Sequence, residues 1–104
     1  TIENGLIELD RDLRVVNANQ SFYEQFEVEE AETVGRMLYD LGNGQWNIPD
    51  LRRLLNEIIP EQTVVRNYEV THDFPDLGIR TMRLNARQID TLERILLVIT
   101  NVSP

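Results

Sequence analysis

Residues 64–89, VVRNYEVTHDFPDLGIRTMRLNARQI, read as two long strands joined by one tight turn. On the first arm Val64, Tyr68, Val70 and Phe74 hold even positions and alternate with Asn67, Glu69, Thr71 and Asp73, the period-2 pattern of a strand with one buried face. On the second arm Met82, Leu84 and Ala86 share a face, opposite Thr81, Arg83, Asn85 and Arg87. Between the arms, Pro75, Asp76, Leu77 and Gly78 supply a fixed φ, an Asx-type side chain and a residue free to take φ > 0. A one-residue slip flips every side chain across a sheet, so the apolar faces coincide only if an even position pairs with an even one. Pairing Val70 with Met82 and Tyr68 with Leu84 meets that condition and leaves a three-residue loop. The hairpin then carries one apolar face that the remaining chain must cover.

The clearest cover is a helix over residues 49–59. Pro49 suits the first helical position and Asp50 the positive end of the dipole. Leu51, Leu54, Leu55, Ile58 and Ile59 recur at i, i+3, i+4, i+7 and i+8, a full apolar stripe, and Pro60 stops the helix. Upstream, residues 5–9 and 13–16 flank Asp10-Arg11-Asp12 and predict a second, tight hairpin. Asn17 and Asn19 are both good N-caps for a helix over residues 20–26, whose Phe22 and Phe26 form one aromatic stripe. Residues 28–34 read as short irregular helix and loop, and Gly35 marks a backbone position needing freedom. Residues 38–46, LYDLGNGQW, carry two glycines and few helix formers, and so predict a loop containing a turn. Its Tyr39, Leu41 and Trp46 are large for a surface loop and are expected to fold down, as core packing or as a lid over a ligand. After a turn at residues 90–93, the five consecutive aliphatics of residues 95–99 predict a central strand covered on both faces. Five strands with helices on one face of an antiparallel sheet make an α+β domain.

Composition narrows the function. The 104 residues make one domain, residues 1–104, and 41% of them are apolar. The net charge is −8, with ten arginines and no lysine, which leaves no basic footprint for nucleic acid and disfavours contact with an anionic membrane surface. Glu27, Glu29, Glu30 and Glu32 read as a solvated surface run. No apolar run reaches membrane-spanning length, and no stretch of these residues reads as a signal peptide. The chain begins at Thr1 without Met, and is expected to be a piece cut from a longer protein. With no cysteine, disulfides, thiol catalysis and Cys-ligated zinc are excluded within it.

No catalytic constellation emerges, and no enzyme activity is expected of the chain. Its only histidine, His72, shares the buried parity of its strand but has no second metal or haem ligand nearby in sequence. Gly42-Asn43-Gly44 lacks the Lys and Ser/Thr of a phosphate-cradling loop. Arg66 and Arg80 share the apolar parity of their strands, and either pair with a neighbouring acid or hold an anionic ligand.

GLIELDRDLRVVNANQSF (5–22), VGRMLYDL (34–41), the amphipathic helix, the long hairpin and RILLVITNVS (94–103) together resemble a PAS domain over the whole chain. Asn19 stands where such domains carry an Asn opening the first helix, and Gly35 at their glycine after the middle helices. LGNGQWNIP (41–49) with HDFPDLGIRTMRLNAR (72–87) is similar to the PAS subtype found beside bacterial histidine kinases and chemotaxis methyltransferase or methylesterase fusions. The resemblance implies a five-stranded antiparallel sheet in order 2-1-5-4-3, cupping short helices around a small cavity. It also implies a cytoplasmic module of bacterial two-component signal transduction, covalently attached to an effector domain and forming a homodimer. Many members end in Asp-Ile-Thr; here Asn101-Val102-Ser103 stands there, without the Asp charge. The missing cysteine excludes a cysteinyl-flavin, and the absence of His from the 49–59 helix argues against haem; no other cofactor is named by the residues.

Two readings follow. In the first, a small-molecule ligand sits between the 49–59 helix, the Trp46 loop and the hairpin, lined by Tyr39, Trp46, Tyr68, Met82 and Leu84. Its binding biases a packed two-state element at the last strand and so reaches a C-terminal effector, a histidine kinase foremost. In the second, the domain is a ligand-free scaffold that pairs with itself or a partner domain. An α+β enzyme is a third possibility, lacking a paired acid and base.

Overall fold

The computed structural model describes residues 4–59, 61, 63–75, 77–89 and 94–102. Its strands are β1 (Asn4–Leu9), β2 (Val15–Ala18), β3 (Val64–Phe74), β4 (Gly78–Ile89) and β5 (Arg94–Asn101). They form one antiparallel sheet in the order β2-β1-β5-β4-β3. Between β2 and β3 lie helix α1 (Gln20–Phe26), 3-10 turns at Glu30–Glu32 and Leu38–Asp40, helix α2 (Leu41–Gly44) and helix α3 (Pro49–Arg53), which runs on as a π turn, Leu54–Ile58. The roles assigned to Pro60, Asp76, Ser103 and the 90–93 turn fall outside the described residues.

The hairpin that organises the sheet has the register its faces require. Val70 pairs with Met82, Tyr68 with Leu84, and Phe74 with Gly78 across a three-residue loop. Gly78 takes φ +81°, where a side chain would be strained. Val70, Phe74, Met82, Leu84 and Ala86 are buried on one face. Below Tyr68 the even-position rule breaks. A β-bulge between Val65 and Tyr68 opposes three steps of β3 to two of β4, and Asn67 there takes φ +58°. Val65 therefore faces Ala86 while Val64 and Arg66 turn out to solvent, the reverse of what their parity suggests.

Asn19 joins α1 to the sheet. Its Oδ1 caps the helix by accepting from the Phe22 amide at 3.0 Å and also accepts from the Leu6 amide at 2.9 Å, while Nδ2 donates to the Asn4 carbonyl at 3.0 Å. At the other end of α1, Arg80 of β4 donates to the Gln25 carbonyl at 2.7 Å with its guanidinium over the Phe26 ring. Among the described residues Arg80 thus holds a backbone carbonyl at the end of α1. Phe22 and Phe26 reach the centre of the domain.

Three further expectations are corrected. Within residues 38–46, expected as a loop containing a turn, Leu38–Asp40 and Leu41–Gly44 are two helical turns, each too short to display a period and the second masked by its glycines. The second half of the 49–59 helix widens into a π turn in which the Ile59 amide reaches back to the Leu54 carbonyl at 2.9 Å. Leu51, Leu54, Leu55 and Ile59 are buried all the same, with Ile58 half-buried at the margin. Finally, β5 is central but covered on one face only. Ile95, Leu97 and Ile99 are buried beneath the helices, whereas Leu96 and Val98 on the outer face stay half-exposed beside Leu6 of β1.

Candidate functional site

The five side chains expected to line a ligand cup all belong to, or pack against, one buried cluster. Trp46 lies at its centre, with ring centroids 4.8 Å from Phe26, 5.4 Å from Phe74 and 5.7 Å from Phe22. Trp46, Met82 and Leu84 are each 1% exposed, so side chains fill the space around them. The two tyrosines sit further out and brace α3. The Tyr68 hydroxyl donates to the Asp50 carbonyl at 2.8 Å, and the Arg52 guanidinium lies 4.3 Å above the Tyr39 ring, itself held by the Asn47 side chain. The buried Tyr39 hydroxyl has no hydrogen-bond partner of good geometry. Burial raises its pKa above the usual phenol value, and nearby Arg52 and Asn56 only partly oppose the shift. Tyr68 is raised as well, by burial first and then by Asp50.

Open space lies beside this cluster. A cleft of about 390 Å³ runs between the π turn and one end of the sheet, lined by Arg11, Leu13, Leu55, Asn56, Ile59, Gln88, Arg94 and Ile95. Two irregular pieces of backbone shape it. The Asp10 carboxylate accepts from the amides of Asp12 at 2.9 Å and Arg14 at 3.0 Å, a turn that forces Leu13 to φ +65°. Opposite, the extra residue of the π turn sets Leu55 and Asn56 on the cleft wall. Non-glycine residues at positive φ and π turns both concentrate at functional sites. Arg94 at the rim pairs with Glu8 at 3.6 Å. None of the five expected residues lines this cleft. Its own residues come from four distant segments, and no period or motif links Arg11 to Arg94.

His72 is half-buried and meets Phe74 edge to face at 4.9 Å. Among the described residues no cluster of three or more His, Asp or Glu could hold a metal ion. No described helix is long and apolar enough to cross a membrane.

Among curated proteins, none matches the chain. Of solved structures, the photoactive yellow protein domain of the sensor histidine kinase Ppr from Rhodospirillum centenum superposes with a TM-score of 0.74 at 14% identity, covering 92% of this chain and 83% of that one. The PAS domain of the Cronobacter turicensis quorum-sensing receptor RpfR, in complex with BDSF, gives 0.69 at 16% identity, covering 96% and 94%. The PAS domain of nitrogen regulation protein NR(II) from Vibrio parahaemolyticus gives 0.69 at 14% identity, covering 95% and 89%. At these identities the likeness is one of fold. The family model described as the PAS fold matches residues 1–103, and the chain therefore belongs to the PAS family of sensory, regulatory domains.

Proposed function

We propose that the chain is the sensory module of a bacterial signalling protein, a histidine kinase foremost, and that it binds a small molecule between its helical layer and its sheet. The observation that carries the reading is the cleft beside the π turn. Its walls Leu55, Ile59 and Ile95 belong to the same buried cluster as Tyr39, Trp46, Met82 and Leu84, with Tyr68 packed against it. A ligand seated there touches β5 at its first residues and presses on the inner-wall side chains, so its binding energy can bias the strand whose far end leads to the effector. Native mass spectrometry of the protein with its natural flanks tests this. A non-covalent adduct lost on denaturation is expected, and its re-addition should raise Tm in line with RT ln(1 + [L]/Kd). A protein that carries no adduct and gains no stability from a metabolite extract would overturn the reading.

One observation favours a second reading, that of a scaffold that pairs with itself. Leu6 faces Val98 across the β1–β5 register, and Leu96 lies beside Glu8, which leaves an apolar strip on the outer sheet face. Light scattering decides it: a mass that doubles with concentration in the wild type and not in Val98→Asp supports pairing through that strip.

A further inference from the structure

We infer that the cleft beside the π turn takes a small organic anion with a short apolar body, its charged group held by Arg11 and Arg94. The inference rests on the sensory reading and adds the chemical class of the ligand. The cleft is chemically two-sided. Leu13, Leu55, Ile59 and Ile95 offer it an aliphatic wall, while Arg11, Arg94, Asn56 and Gln88 offer donors. Two of the ten arginines thus meet at one opening in a chain of net charge −8. Among the described lining residues the charged groups are both guanidiniums, which favours an anion over a cation. Arg94 does pair with Glu8, but at 3.6 Å and with both side chains about a third exposed, a longer contact than a charge-assisted hydrogen bond. Arg11 likewise already has an interaction within the protein. A guanidinium has five N–H donors in a planar fork, so each of the two can keep its own partner and still present donors to a bound anion. The volume of about 390 Å³ falls in the range of small-ligand sites. The mobile partner chemistry is therefore an anionic head facing the two guanidiniums and the amides, with an alkyl or ring body against the leucines and isoleucines.

Octanoate serves as the probe and octanol, of equal chain length without charge, as its control, both titrated into the full chain. Octanoate should raise Tm and shift the side-chain amide signals of Asn56 and Gln88 in 1H–15N spectra, while octanol does neither. Arg11→Gln, on an exposed turn, and Arg94→Gln should each weaken octanoate binding by about tenfold or more, the usual size of one charge-assisted contact. Equal responses to octanoate and octanol, or unweakened octanoate binding in the double variant with its Tm intact, would overturn the inference. So would a neutral or cationic adduct in native mass spectra of a protein that ignores octanoate, and that result leaves the sensory reading standing. No adduct and no response to octanoate would overturn both.

Discussion

The Asn19 side chain accepts a hydrogen bond from the Leu6 amide at 2.9 Å, which makes a helix cap double as a partner for the sheet. The same oxygen serves the Phe22 amide, so removing it strands donors in two elements at once. Asn19→Ala should cost about 2 kcal/mol or more, the sum of a lost cap and a half-buried amide left unpaired. Asn19→Asp keeps the acceptor and should recover most of that loss. Urea unfolding of the pair checks it, and equal destabilisation by both variants would refute the shared-oxygen account.

The stripe on α3 and its π turn makes a graded prediction. Leu51→Ala and Leu54→Ala, both fully buried, should each cost about 2–5 kcal/mol. Ile58→Ala, at the half-buried margin, should cost clearly less. Unfolding midpoints in that order support the helix as the roof of the sheet.

Asn67 sits at φ +58° in the β3 bulge, with its amide 3.2 Å from the Asn85 side-chain oxygen. A β-branched residue tolerates that backbone poorly, so Asn67→Val should cost about 1–2 kcal/mol and Asn67→Gly little or nothing. A neutral Asn67→Val in thermal melts would mean that the bulge is not a fixed feature of the strand.

Tyr39 supplies the pH dependence. Burial raises its pKa in the folded state above the unfolded value of 10.0. The folded form then holds its proton where the unfolded form releases it, so the associated stability is complete below pH 10 and drains away as pH climbs through the folded pKa. Melts between pH 9 and 11 should show a falling Tm, and Tyr39→Phe should flatten part of that fall. The same slope in both proteins would assign the effect elsewhere, Tyr68 included.

The upper half of the long hairpin was legible because strict alternation from Tyr68 to Phe74 admits one register against Met82 and Leu84. Its lower half was not. Val64 and Val65 are equally apolar and β-branched, so nothing in the letters says which turns inward once Asn67 adds a residue. The PAS family could be read from motifs spread along the whole chain, and the strand order 2-1-5-4-3 followed from it. Apolar content alone could say that the aliphatic run of β5 is buried beneath something, but not that only one side has a cover. The helical turns at Leu38–Asp40 and Leu41–Gly44 are shorter than one hydrophobic period, so pattern reading passes over them. Trp46 is too large and apolar for a surface loop, and its ring closes the aromatic cluster of Phe22, Phe26 and Phe74. The cleft has no signature in the sequence because it is a meeting of a turn, a helix end and two strand ends, which only the folded chain assembles.

The π turn at Leu54–Ile58 holds one residue more than a regular helix of the same rise would need. Excising a single residue there would let the helix close into ordinary α geometry while swinging Asn56 and its neighbours by roughly a quarter-turn or more about the axis. A lineage of such domains could therefore re-aim the wall of the cleft by a one-codon indel and leave Leu51 and the sheet beneath it undisturbed.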